Sequence, residues 1–112
     1  MPKPPTDHFR SLGRHPADLP VRVSVVGREG SHAARLLDLG LGGACLEIAE
    51  RYERGDRLRV ELDLPGLWDP LVLDAEVAWC EPRAEGAARA GLRFVGASGR
   101  SLRLIAEAIA VA

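Results

Sequence analysis

The sequence predicts an all-β domain with a terminal helix: a six-stranded antiparallel β-barrel, a C-terminal α-helix and a flexible N-terminal arm. Three observations carry that prediction. Apolar and polar residues alternate with period two over several short stretches, glycine and proline turns separate those stretches, and the period lengthens to that of a helix only after Ser98. At 112 residues the chain is the length of one domain, too short for a catalytic and a regulatory domain together.

Residues 1–18 are rich in proline and charge and poor in apolar side chains, so they are expected to form an arm without a core of its own. The barrel and helix should occupy residues 19–112. Alternation begins at Leu19, with Val21, Val23 and Val25 interleaved with Arg22 and Ser24, and Gly27 and Gly30 mark a hairpin turn. A second strand is expected over residues 31–37. After the glycine-rich turn Asp38-Leu-Gly-Leu-Gly-Gly43, a third carries Ala44, Leu46 and Ile48 on one face and Cys45 and Glu47 on the other.

The plainest alternation is at residues 57–64, where Leu58, Val60, Leu62 and Leu64 oppose Arg59, Glu61 and Asp63. Residues 71–79 repeat it, with Leu73, Ala75, Val77 and Trp79 expected to face the interior; Trp68 lies in a loop near a proline and is expected to be exposed. Residues 91–95 supply a sixth strand. Ser98 is a natural N-cap for a helix over residues 98–111 whose apolar positions are Leu102, Ile105, Ala106 and Ile109. Arg100 and Arg103 on it read as surface charges.

Composition narrows the function. A net charge of −1 exerts no general pull on nucleic acid or anionic lipid, so any anion site must be local. Aromatic content of 4% leaves the strands without the stacking platforms of an oligonucleotide-binding barrel, which ranks last among the readings. No GxSxG elbow, Walker loop, HExxH or paired carboxylates stand out, so the chain reads as non-enzymatic. His8, His15 and His32 are expected to be solvent-exposed rather than metal ligands. Cys45 and Cys80 are far apart and set in apolar surroundings, as buried thiols of a reducing compartment are. With no apolar leader and no membrane-span-length run, the expected location is the cytoplasm.

Two features then combine: Arg10-Ser-Leu-Gly-Arg14 in the arm and Asp38-Leu-Gly-Leu-Gly-Gly43 at the turn, separated by the first hairpin. In this the sequence resembles the PilZ family of bacterial cyclic di-GMP receptors, in which an RxxxR arm precedes the first strand and a (D/N)xSxxG motif follows the second. Gly55-Asp-Arg-Leu58, Val77-Ala-Trp79 and Gly91-Leu-Arg-Phe94 resemble later landmarks of that family, so the likeness runs from about Phe9 to Phe94. The departure is Gly40, which stands where the family motif has serine.

The resemblance implies a cyclic di-GMP site made by Arg10, Arg14, Asp38, Gly40 and Gly43, no cofactor, and a downstream protein partner. The chemistry agrees. Cyclic di-GMP is a dianion with two guanines; arginine binds both phosphate oxygens and the guanine O6/N7 edge bidentately, and a carboxylate accepts from guanine N1–H and N2–H. Glycines admit a ligand to the backbone. The competing readings stay open: Asp38 could cap its own turn, and the fold could serve as a protein-interaction adaptor that binds the nucleotide weakly or not at all.

Overall fold

A computed structural model describes residues 14–64, 66–83 and 86–111, with the backbone alone for Arg14, Ala110 and Val111. Six strands and a helix follow in order: β1 (Arg14–Val25), β2 (His32–Gly40), β3 (Gly43–Ile48), β4 (Arg57–Leu62), β5 (Leu71–Pro82), β6 (Ala88–Phe94) and α1 (Gly99–Val111). The strands close into an antiparallel barrel in the order β1-β2-β3-β6-β5-β4. Two three-stranded meanders are thus zipped together along β3·β6 and β1·β4.

Alternation is the cause of this closure. Each strand turns one apolar side inward, and the barrel lets all six bury that side while pairing every edge. Val23, Leu36, Leu46, Leu58, Val77 and Leu92 are among the side chains wholly removed from solvent. Burial of each stabilises the fold by roughly 1.5–3 kcal/mol. Among the described residues no charged side chain lies in this core. The β1–β2 hairpin turns where expected, with Gly27 and Gly30 at φ 89° and 85°, a left-handed backbone that glycine adopts without strain.

Two strands begin earlier than the sequence reading places them. β1 begins at Arg14, not near Leu19, because Arg14, His15 and Pro16 pair with Gly40, Leu39 and Asp38. Residues 14–18, expected in the arm, therefore belong to the barrel wall, while residues 1–13 lie outside the described part. β6 likewise begins at Ala88, where Ala88, Arg89 and Ala90 pair with Ile48, Glu47 and Leu46. Both extensions are specified by a distant partner strand rather than by local alternation.

α1 is capped as predicted: Ser98 Oγ accepts the Ser101 N–H at 3.1 Å and the Ser98 carbonyl accepts the Leu102 N–H at 3.0 Å. Its buried stripe is rotated from the expected one. Ile105 is fully buried and Leu104, Ala108 and Ile109 pack on the core, whereas Ala106 is exposed. No helix among the described residues is long and apolar enough to cross a membrane.

Candidate functional site

With an apolar interior, polar chemistry must sit on the outer wall, and two β-bulges decide which side chains reach it. In β2, Leu36 pairs with Leu46 but Asp38 pairs with Cys45, so Leu37 is one residue too many. Strict alternation from buried Leu36 would turn Asp38 inward. The bulge instead keeps Leu39 buried and sets Asp38 outside. β5 repeats the device at Ala78: Val77 pairs with Leu92 and Trp79 with Gly91. Cys80 then packs against the core, and Trp79 emerges on the wall.

This corrects two sequence expectations. Asp38 is a strand residue rather than part of a turn, which is only Leu41 and Gly42, and Trp79 faces outward rather than into the barrel. Cross-strand pairing puts Asp38, Cys45, Gly91 and Trp79 in a single row. Cys45 faces outward by register yet is 7% exposed, and Trp79 is half-buried over Gly91.

The adjacent row runs Arg14, Gly40, Gly43, Arg93. Arg14 pairs with Gly40, Gly40 and Gly43 flank the turn, and Gly43 pairs with Arg93. Two positions without side chains thus lie between two arginine positions. Arg93 Nη2 donates to Glu76 Oε1 at 3.1 Å, and Arg57 Nε stands 3.5 Å from the other Glu76 oxygen, so the Arg93 guanidinium is tethered beside the glycines. On the other flank Arg35, Glu47, Arg89 and Glu81 alternate in charge across four strands. Arg35 Nε also donates to Asp18, which holds the Asp18 carboxyl below its ordinary value.

Of the five sequence-predicted residues, four converge here: Arg14 opens β1, Asp38 and Gly40 close β2, and Gly43 opens β3. Arg10 lies outside the described residues. Trp79 and Arg93 are the additions that alternation alone misses. Trp79 was hidden by the bulge; Arg93 belongs to the Gly91–Phe94 segment but shows its place only through its pairing with Gly43.

Two of the three histidines fall among the described residues. His8 lies outside the described residues, and His15 is exposed on β1. His32 departs from its expected exposure: it is half-buried, shares a hydrogen bond between Nε2 and the Tyr52 hydroxyl, and has Nδ1 3.8 Å from Glu50. Burial pushes the Tyr52 hydroxyl above its ordinary pKa, and the nearby Glu50 carboxylate adds to the rise. Among the described residues no group of three His, Cys, Asp or Glu side chains is arranged to hold a metal ion.

The architecture is therefore a small closed barrel with an apolar interior, one helix packed against it, and a polar cluster on its outer wall. The chain belongs to the PilZ domain family, whose model matches residues 6–110. Its fold is shared with the PilZ domain, with c-di-GMP, of YcgR from Escherichia coli, at 21% identity and a TM-score of 0.72 over 88% of this chain and 86% of that one. The inhibitor of motility MotI/DgrA from Bacillus subtilis matches at 15% identity and 0.72, covering 88% of this chain and 48% of that one. The PilZ domain of CeSA from a cellulose-synthesizing bacterium matches at 18% and 0.64, over 88% and 95%. No curated protein matches the sequence.

Proposed function

We propose that this chain is a non-enzymatic, cytoplasmic cyclic di-GMP receptor that converts nucleotide binding into a change of conformation or of protein partner. The observation that carries the reading is the β2 bulge, which turns Asp38 to the outer wall beside the Arg14–Gly40 pair. A carboxylate facing the barrel interior could read no ligand. Membership of the PilZ family, and the c-di-GMP complex of the YcgR domain, support cyclic di-GMP as the ligand.

In this reading Arg10 and Arg14 bind phosphate oxygens and a guanine O6/N7 edge, and Asp38 accepts from guanine N1–H and N2–H. Gly40 and Gly43 form a floor without side chains, and Trp79 offers an aromatic face at the far end of the Asp38 row. Arg10 precedes β1, so engaging it ties the segment before the barrel to the ligand and alters the surface a partner meets.

Calorimetric titration with cyclic di-GMP tests this. Binding by the parent that is lost in Arg14→Ala and in Asp38→Ala is the expected result; equal affinity in all three proteins defeats the assignment. A second reading, a PilZ-fold adaptor that binds the nucleotide weakly or not at all, is favoured by one observation, the missing hydroxyl at Gly40. Partner capture indifferent to nucleotide would support that reading.

A further inference from the structure

The barrel mouth holds an apolar groove of about 710 Å³. It exists because β1 outruns one neighbour. Residues 14–20 of β1 have β2 on one side, but β4 pairs with β1 only from Val21 onward, so α1 and the chain after β4 complete the wall. Ala17, Leu19, Leu39 and Leu64 line one side and Leu104 and Ile109 of α1 the other.

Beside this groove stands Trp68, 101% exposed. Its loop shares a surface depression with Arg100, Ser101 and Leu104, so the indole belongs to the N-terminal half of α1, whereas the groove follows the C-terminal half from Leu104 to Ile109. A tryptophan side chain carries about 150–250 Å² of surface to bury, and such residues anchor protein contacts more than others do.

The charges of α1 are also set against its own dipole. Arg100 and Arg103 occupy the half near the positive N-terminus and Glu107 the half near the negative C-terminus, with no acidic residue in the first turn and no basic one in the last. Among the described residues none of these three is ion-paired. A second α1 packed antiparallel would reverse every unfavourable relation, setting Arg100 and Arg103 against Glu107 and opposing the dipoles. The exposed Ala106 allows close approach.

We propose that this face binds a second copy of the chain: α1 packs antiparallel to its twin, and Trp68 of each protomer fills the other's groove. The two-fold axis that pairs the helix charges carries Trp68 from the N-terminal half of one helix to the C-terminal half of the other, where the groove lies. Knob and hole on one patch are what an isologous contact requires.

Sedimentation equilibrium of the full chain tests the proposal. The parent mass is expected to rise with concentration from 12.1 kDa toward twice that value. Trp68→Ser, a change at a solvated position, should weaken association at least about tenfold. Glu107→Arg should weaken it too, and adding Arg100→Glu and Arg103→Glu to that variant should restore it. A single-chain mass at every concentration overturns the proposal. So does association untouched by Trp68→Ser, or a triple variant that stays as weak as Glu107→Arg alone.

Discussion

The indole of Trp79 fills the space that a side chain at Gly91 would need: a β-carbon there would fall 2.1 Å from Nε1 and 2.3 Å from Cε2. The pair locks the β5 bulge to β6 and fixes the far end of the Asp38 row.

Gly91→Ala should therefore expel the indole. Overpacking of this kind costs about 1–3 kcal/mol, and each kcal/mol lowers Tm by about 4–8 °C in a domain of this size. In a Trp68→Phe background, which leaves Trp79 as the sole tryptophan, the emission should move to the red. An unshifted spectrum would mean that the contact is not held in solution.

Among the described side chains of α1, Ile105 alone is wholly buried, so it anchors the helix to the barrel. Ile105→Ala should cost about 2–5 kcal/mol through lost burial and the cavity left behind. In urea the unfolding midpoint should fall with the slope unchanged. A loss below about 0.5 kcal/mol, the range of ordinary surface substitutions, would show that α1 is not part of the cooperative fold.

The acid limb of stability should contain a contribution from Asp18. Its folded pKa is lowered, chiefly by the hydrogen bond from Arg35, so its contribution is complete above the unfolded value near 3.8 and fades as pH falls through the folded value. Both side chains are exposed, which keeps the effect small. The melting temperatures of parent and Asp18→Asn should differ by a constant amount above about pH 5 and converge toward pH 2. A gap that widens on acidification would reverse the sign of this linkage.

How much of this was legible beforehand depends on whether a feature is local. Alternation in Leu58, Val60 and Leu62 needs no partner to be read, and all three are buried. Ser98 likewise declares its cap within three residues. The bulges at Leu37 and Ala78 are different, because an extra residue is defined only against the opposite strand. Each shifts the alternation by one, which is why Asp38 read as a turn residue and Trp79 as core. For α1, 3.6-residue periodicity predicts a stripe but not which edge of it meets the barrel; Leu104 and Ala108 took the inner place that Leu102 and Ala106 were expected to share.

Gly40 gives the sharpest prediction about the site. It is the last residue of β2, and its β-strand conformation is one that serine also adopts. Gly40→Ser should therefore leave the fold intact and restore the hydroxyl that the family motif carries at this point. One neutral hydrogen bond contributes about 0.5–1.5 kcal/mol net, which is about a two- to twelvefold gain in cyclic di-GMP affinity. Replacing the glycine also lowers the entropy lost when the turn orders, which acts in the same direction. Charge-assisted contacts are about twice as strong as neutral ones, so Arg14→Ala should lose more affinity than Gly40→Ser gains. Titrating parent, Gly40→Ser and the double variant Arg14→Ala/Gly40→Ser separates the terms: the double variant should bind more weakly than the parent. If it binds as tightly as Gly40→Ser alone, Arg14 contributes nothing and the ligand does not lie across the Arg14–Gly40 pair.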